Sequence, residues 1–319
     1  MVITYIFAGS LLATLVGFPP TIFFLKKIKN YDMPNERSSH STPVPRAGGI
    51  LLFLIFVSFS IPFLPNHWRL LSVVFPFALL GLIDDFFKLS AKIRLAVQII
   101  VALGGSYILI PSSYIYLIPV FAIFVMGTVN AWNFMDGING LSAFSCTLVG
   151  GTWWILGDLG KFHYDVILGE ICVAAGVGFA IYNAFVPKVF LGDMGSYAFG
   201  AIFAGSILYP FRNPSLVIPM LLPLLPSYFD TTFTLIKRAL KREKLLESHR
   251  DHVYQNLIDN GLSHLQVALL YSFFILIASL ISITIFGKSD LIIFFGVLIS
   301  VAVNLIYLTM PRVFKKVQS

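Results

Sequence analysis

The chain has 319 residues, of which 57% are hydrophobic, 12% are charged and 31 are phenylalanine. Soluble globular domains have about 25% charged residues, so this composition excludes a soluble protein and indicates one embedded in a membrane. The net charge of +7 requires no nucleic-acid partner, because basic residues that flank membrane spans contact anionic lipid headgroups. Cys146 and Cys172 lie inside hydrophobic segments without metal-binding spacing and are interpreted as packing residues.

Eleven hydrophobic segments follow one another along the chain. A helix needs about 20 mainly apolar residues to cross a hydrocarbon core about 30 Å thick. The segments lie at 2–25, 48–65, 70–83, 93–110, 114–130, 138–157, 165–183, 195–210, 215–235, 265–286 and 290–310. We therefore predict an all-α, polytopic membrane protein with about eleven transmembrane helices in a single domain, 1–319. Basic residues follow the first segment and do not precede it, which favours a retained span over a signal peptide.

The distribution of basic residues predicts the orientation. With the amino terminus outside, eighteen of the 22 Lys and Arg residues fall on the cytoplasmic side and four on the outer side. This asymmetry is the one that the positive-inside rule describes, and it places the carboxyl terminus in the cytoplasm. Helix-forming residues after Lys237 predict that the ninth span continues into the cytoplasm. The polar motifs lie on the cytoplasmic segments 26–47, 84–94, 130–140, 184–196 and 236–264.

The first cytoplasmic segment is basic and rich in proline. Asn35 to His40, with the sequence NERSSH, precede TPVPRAGG at 42–49. Taken alone, this segment is typical of a linker. Its position on the same face as the other polar motifs makes Arg46 a candidate substrate-binding residue.

Two adjacent carboxylates, Asp84 and Asp85, end the third span. Lys88 follows one helical turn later, so an interfacial salt bridge is the structural alternative. However, two acids at a helix carboxyl end oppose the helix dipole, and acids at a membrane boundary are usually retained for a cation or a proton. A catalytic role is therefore favoured. Lys88, Lys92 and Arg94 become candidate phosphate ligands, although Lys92 and Arg94 alone would also suit membrane anchors.

A second cluster ends the fifth span. Asn130, Asn133 and Asp136 recur every three residues and share one helix face, and Gly137 and Gly140 follow. Hydrogen bonds between helices would explain some of these amides, but not the whole set. Hard oxygen ligands suit Mg²⁺ held together with substrate phosphates. Asn133 is thus a candidate metal ligand, Asp136 a candidate catalytic residue, and Asn130 and Gly137 candidate substrate-binding residues.

Asp193 stands in LGDMGS, just before the eighth span. An Asp at this position would also serve as a helix N-cap. The two roles are compatible, because a helix amino terminus with flanking glycines attracts phosphate as well. Asp193 is the second predicted metal ligand.

The last large cytoplasmic segment contains HRDH at 249–252. No third histidine or cysteine completes a zinc site there, so His249, Arg250 and His252 are predicted to bind an anion. A charged surface helix is the alternative. Asp230, near the inner end of the ninth span, could pair with Lys237 or Arg238 and is interpreted as a structural residue or as one that supports the substrate-binding side chains.

Together these motifs resemble one family. NERSSHSTPVPRAGGI, GLIDDFFKLSAKIRL, NAWNFMDGINGLSA, FLGDMGS and HRDHVYQNL have the order and spacing seen in polyprenyl-phosphate N-acetylhexosamine-1-phosphate transferases. The resemblance implies Mg²⁺-dependent transfer, with Mn²⁺ as an alternative, of a sugar 1-phosphate from a UDP-N-acetylhexosamine to undecaprenyl phosphate. UMP would be released at the cytoplasmic face of a bacterial inner membrane.

The resemblance also implies roles for individual residues. Asn133 and Asp193 match the metal ligands, and Asp84 and Asp85 match the acidic pair that orients or deprotonates the lipid phosphate. The remaining matches are phosphate and nucleotide contacts, at Lys92, Arg94, His249, Arg250 and His252.

The chain departs from one branch of the family, and this departure bears on which sugar is the substrate. Phospho-MurNAc-pentapeptide transferases have His-His-His in the last large loop, where this chain has HRDHVYQ. The resemblance therefore favours the branch that begins O-antigen or other surface glycans with GlcNAc or a 6-deoxy relative. Two alternatives stay open: a phospho-MurNAc-pentapeptide transferase, and a secondary transporter, since buried charges also mark ion pathways. A homodimer is a further expectation.

Overall fold

A computed structural model describes residues 2–33, 42–209, 214–245 and 249–317. The predicted all-α fold is confirmed, because helices account for nearly all of this part of the chain. The helices are α1 Val2–Lys27, α2 Gly49–Phe63, α3 His67–Phe87, α4 Ala91–Leu109, α5 Ile118–Met135, α6 Leu141–Gly160, α7 His163–Ala180, α8 Gly192–Leu208, α9 Pro214–Leu221, α10 Leu225–Leu240, α11 Val253–Asp259, α12 His264–Ile285 and α13 Asp290–Val317.

The helices coincide with the predicted spans. Within the described ranges, eight helical segments are long and apolar enough to cross a membrane, so the chain is a multi-pass membrane protein. The second, sixth and eighth predicted spans also coincide with helices, namely α2, α6 and α8. The number of eleven crossings and the outward amino terminus stay predictions.

The ninth span is not one continuous helix. A short 3-10 turn at Leu222–Leu224 separates α9 from α10, where three prolines, at 219, 223 and 226, remove backbone donors that an α-helix needs. The predicted helical extension past Lys237 is wrong beyond Leu240. Arg242 adopts a left-handed φ of 59°, and the Arg238 guanidinium donates to the Lys244 carbonyl at 2.9 Å, which folds the chain back.

Helix α8 lies at the centre of the bundle. It packs against α2, α3 and α5, and every residue in it except Asp193 is buried. Glycines allow the close approach: a Cβ on Gly81 of α3 would clash with the Asp193 carbonyl, and one on Gly49 of α2 would clash with the Gly195 backbone. In a membrane the hydrophobic effect does not drive helices together, so their association depends on the close packing that small residues allow.

The segment between α1 and α2 is hydrogen-bonded to the residues that precede α8. It contains a short antiparallel ladder of β1 Tyr31–Asp32 and β2 Val44–Pro45. The Pro45 carbonyl accepts from the Phe190 N–H at 2.9 Å, and the Gly49 N–H donates to the Leu191 carbonyl at 2.8 Å. Arg46 is therefore held beside the first turn of α8. The NERSSH motif, at 35–40, lies outside the described residues.

Cys146 and Cys172 are both buried. The Cys146 thiol donates to the Cys172 carbonyl at 3.3 Å between α6 and α7. This contact agrees with their interpretation as packing residues.

Candidate active site

The amino terminus of α8 is capped by a side chain from another helix. The Asp85 carboxylate, at the end of α3, accepts from the Asp193 N–H at 2.9 Å and from the Met194 N–H at 3.0 Å. Exposed N–H groups at a helix start attract an anion, so Asp85 performs the capping that the sequence suggested for Asp193. Gly192 has a φ of +79°, and a Cβ there would lie 2.7 Å from the Asp85 carboxylate. A side chain at 192 would therefore separate the two elements.

Arg46 joins the two acids of this cluster. Its Nε lies 2.8 Å from Asp85 Oδ1, and its Nη2 lies 2.6 Å from Asp193 Oδ2. The Asp85 side chain is fully buried, whereas those of Asp193 and Arg46 are 15% and 24% exposed. Burial disfavours the guanidinium charge, but the two carboxylates outweigh it and raise the pKa of Arg46 above its ordinary value.

The two predicted metal ligands lie side by side. Asn133 Nδ2, at the end of α5, donates to Asp193 Oδ1 at 2.9 Å and to Ser196 Oγ at 2.9 Å. Sequence reasoning missed Ser196 as part of this cluster, although it stands one helical turn after Asp193.

The donor set fits a cation shared with substrate. Mg²⁺ commonly uses one or two carboxylates together with substrate phosphates and waters. A carboxylate has about four acceptor positions, so the contacts of Asp193 to Arg46 and Asn133 do not saturate it. The Asn133 amide would present its oxygen by rotation. Among the residues that the structure describes, no group of three or more His, Cys, Asp or Glu side chains forms a complete cage. A metal would therefore depend on substrate oxygens.

Asp84 forms the second half of the acidic pair, with its own cation. Its Oδ2 accepts from Arg94 Nη1 at 2.8 Å, and its Oδ1 accepts from the Leu89 N–H at 2.7 Å. Arg94 comes from the first turn of α4, which Ser90 caps. Lys88 and Lys92 are exposed. Arg46 and Arg94, and not Lys88, are thus the cations that meet the acidic pair.

Asp136 follows the last residue of α5. Its Oδ1 accepts from Ser142 Oγ at 2.6 Å. Burial raises its pKa to about 8, and the nearby Asp193 charge adds to this, while the bond from Ser142 opposes it. Burial therefore favours the protonated form of this carboxyl group more than in an ordinary aspartate.

Asn130 and Gly137 have contacts that suit packing. The Asn130 amide donates to Gln98 Oε1 of α4 at 2.8 Å and to the Met126 carbonyl at 2.8 Å. A Cβ on Gly137 would clash with the Tyr254 hydroxyl, so glycine is required for this approach. Substrate binding by these two residues stays a prediction.

Three polar side chains of the HRDH segment, those of Arg250, Asp251 and His252, contact other residues of the chain at hydrogen-bond distance. His252 Nδ1 lies 3.0 Å from Asp230 Oδ1, so the suggested pairing of Asp230 with Lys237 or Arg238 is wrong. Arg238 instead binds Asp251 at 2.6 Å, and Arg250 contacts Asp259 at 3.1 Å. The sequence offered no signal for these pairs, because they join segments whose approach depends on where α10 ends.

His249 lies against this cluster. Burial first, and then the charges of His252 and Arg238, lower its pKa to about 4. The imidazole is therefore neutral at pH 7 and can offer one N–H to an anion. Anion binding by His249, Arg250 and His252 stays a prediction.

Known proteins are similar to this chain. The profile described as glycosyl transferase family 4 matches residues 67–210, which include both acids of α3 as well as Asn133 and Asp193. A probable undecaprenyl-phosphate N-acetylglucosaminyl 1-phosphate transferase from Bacillus subtilis strain 168 is 29% identical over 283 residues, covering 81% of this chain and 78% of the relative.

Two further relatives are similar. An undecaprenyl-phosphate alpha-N-acetylglucosaminyl 1-phosphate transferase from Thermotoga maritima is 31% identical over 243 residues, 74% of this chain and 76% of the relative. A phospho-N-acetylmuramoyl-pentapeptide-transferase from Wolbachia sp. subsp. Brugia malayi is 30% identical over 234 residues, 62% of this chain and 72% of the relative. The resemblance drawn from the motifs is thereby confirmed, and the chain belongs to glycosyl transferase family 4, within the family of polyprenyl-phosphate N-acetylhexosamine-1-phosphate transferases.

Proposed function

We propose that the chain transfers N-acetylhexosamine 1-phosphate from a UDP-sugar to undecaprenyl phosphate and releases UMP. The main support is a cluster of ion pairs where the ends of α3, α4 and α8 meet. Arg46 pairs with Asp85 and Asp193, and Arg94 pairs with Asp84. The reaction would be the first membrane step of a surface glycan in the bacterial inner membrane. The names of the Bacillus and Thermotoga relatives support this substrate pair.

The reaction joins two anions. An oxygen of the lipid phosphate attacks the sugar-linked phosphorus of the diphosphate, and the bond from that phosphorus to the UMP oxygen breaks. Positive groups must offset the repulsion between the phosphates and the charge that develops on the leaving group. Arg46 and Arg94 lie where they can do this, and a guanidinium binds phosphate through two parallel hydrogen bonds.

Asn133 and Asp193 would hold Mg²⁺, which supplies a Lewis acid that polarises the phosphoryl oxygens. The side chains around them perform the positioning. Asp85 fixes the first turn of α8 and so places Asp193, while the Asp84 carboxylate is oriented by Arg94 and by the Leu89 N–H. Asp84 is therefore the acid that can turn toward the lipid phosphate without releasing α8. Asp136, whose pKa burial raises, can in its protonated form donate a hydrogen bond to a substrate oxygen.

GlcNAc is the sugar that we propose, with a 6-deoxy relative as the next candidate. The two N-acetylglucosaminyl transferases cover 81% and 74% of this chain, whereas the muramoyl-pentapeptide transferase covers 62%. The last cytoplasmic segment also has HRDH and not three consecutive histidines. These observations support a small N-acetylated sugar over a muropeptide.

Release of UMP tests the proposal. Purified protein is given Mg²⁺, undecaprenyl phosphate and, in separate reactions, UDP-GlcNAc, UDP-GalNAc, a UDP-6-deoxy-N-acetylhexosamine and UDP-MurNAc-pentapeptide. We expect UMP and a lipid-linked sugar 1-phosphate with UDP-GlcNAc, and background release from Asp193→Asn of equal thermal stability. Turnover of the muropeptide alone would refute the sugar assignment. Absence of UMP from every donor, with protein that unfolds cooperatively, would refute the activity.

A further inference from the structure

Asp230 is a buried carboxylate with no role in the reaction proposed above. It belongs to α10, its side chain has no exposed surface, and donors from three separate elements converge on it. They are His252 Nδ1 at 3.0 Å, the Val253 N–H at 3.0 Å, the Tyr254 N–H at 3.4 Å, the Tyr307 hydroxyl at 2.7 Å and the Thr234 hydroxyl at 3.4 Å. A buried charge with this many donors holds its neighbours in one arrangement.

The segment 249–254, which is hydrogen-bonded to Asp230, packs against the end of α5. The His252 ring lies on Phe134, with 5.5 Å between the ring centroids, and the His249 ring lies 5.0 Å from His252. The Tyr254 hydroxyl donates to the Phe134 carbonyl at 2.8 Å. Phe134 is the neighbour of Asn133, so this segment contacts the helix end that presents Asn133 and Asp136.

We propose that Asp230 is a positioning residue for the transfer reaction and acts through His252. This inference rests on the proposed function, in which His252 contacts a substrate phosphate or nucleotide. The carboxylate accepts the Nδ1 proton, so Nε2 is the ring nitrogen left to meet the substrate. The Val253 and Tyr254 N–H groups prevent the carboxylate from rotating, and the Phe134 ring fixes the plane of the imidazole.

A double-mutant cycle separates positioning from packing. Asp230→Asn keeps one acceptor oxygen but loses the charge, and we expect kcat/KM for UMP release to fall about 10- to 100-fold, the usual effect of losing such a partner. In a His252→Asn background the same change should alter kcat/KM by less than about twofold, because the group through which Asp230 acts is gone. The loss of thermal stability from Asp230→Asn should be similar in both backgrounds.

Tyr307→Phe is the matched control. It removes a hydrogen bond to the same carboxylate, at 2.7 Å, but leaves the His252 contact. We expect a lower melting temperature with unchanged kcat/KM. Equal losses of kcat/KM in Tyr307→Phe and Asp230→Asn, or full additivity of Asp230→Asn and His252→Asn, would overturn the inference and leave Asp230 as a packing residue.

A measurement independent of turnover covers the case in which Asp230→Asn fails to fold. The ¹⁵N spectrum of histidine-labelled wild-type protein is compared with that of His252→Asn, which identifies the His252 signals. We expect the Nδ1–H tautomer, or a doubly protonated ring, in the wild type. A neutral Nε2–H tautomer would refute the role of Asp230. Inactive wild-type protein with the Nδ1–H tautomer would refute the proposed function and not the Asp230–His252 pairing.

Discussion

Replacement of Arg46 by methionine tests whether one guanidinium holds the acidic cluster together. In the wild type, Arg46 lies 2.8 Å from an Asp85 oxygen and 2.6 Å from an Asp193 oxygen. Methionine keeps much of the apolar stem but leaves two carboxylates next to each other without a cation. Asp85 is fully buried and cannot recover hydration. We therefore expect Arg46→Met to destabilise the protein when no divalent cation is present.

The magnitude follows from the burial of the pair. Removing one partner of a fully buried ion pair costs about 3–5 kcal/mol. Because the Arg46 side chain is 24% exposed and that of Asp193 is 15% exposed, the expected loss is smaller, about 2–3 kcal/mol. With an entropy of unfolding of about 2.1 cal/mol/K per residue, the melting temperature of a chain of 319 residues should fall by about 3–5 °C.

A thermal unfolding assay in detergent, with EDTA and then with excess MgCl₂, measures both the loss and its reversal. The cation competes with the guanidinium for Asp193 in the wild type but not in the variant, so Mg²⁺ should raise the melting temperature of Arg46→Met more than that of the wild type. Lys188→Met is the control, because Lys188 is an exposed cation. Equal melting temperatures of Arg46→Met and Lys188→Met in EDTA would refute the stabilising role of Arg46. Equal shifts of the melting temperature by Mg²⁺ in Arg46→Met and the wild type would refute the competition between Mg²⁺ and Arg46 for Asp193.

Three other predictions concern neighbouring positions. Asp193→Asn should lower UMP release at least about 100-fold without loss of the fold, as turnover and thermal scans would show; near-normal turnover would remove Asp193 from the metal site. Gly81→Ala should cost about 1–3 kcal/mol because its Cβ meets the Asp193 carbonyl, whereas Gly104→Ala, with open space, should not. Burial raises the Asp136 pKa from 3.8 to about 8, so wild-type stability should fall relative to Asp136→Asn as pH rises between these values; a constant difference would contradict this.

Hydrophobicity alone predicted most of the fold. Apolar runs of about 20 residues have few alternatives to a membrane helix, and their positions agree with α1 to α8, α12 and α13. The break between α9 and α10 and the end of α10 at Leu240 were not predicted. The break lies among three prolines, at 219, 223 and 226, which remove backbone donors. The end of α10 depends on contacts formed after folding, such as the bond from Arg238 to the Lys244 carbonyl, which oppose the helix preference of the local sequence.

The candidate site was predicted in its composition but not in its pairing. Rare acids and amides at span ends could be found in the sequence, and the structure brings Asp85, Asn133 and Asp193 together. The partners could not be found, because each contact joins distant segments: Arg46 and Asp193 are separated by 147 positions. Periodicity places a residue on a face of its own helix, but it does not identify the residue on the facing helix.

The geometry divides the adjacent acids into unequal roles. Both oxygens of Asp85 accept backbone N–H groups of α8, and one also contacts Arg46, so any reorientation of Asp85 would uncap α8 and shift Asp193. Asp84 accepts from one backbone N–H and from Arg94. The Arg94 side chain can also move with a bound phosphate. We therefore propose that the DD pair serves two needs that a single carboxylate could not meet together: one acid fixes the helix that carries the proposed metal ligand, and the other stays available to the proposed substrate.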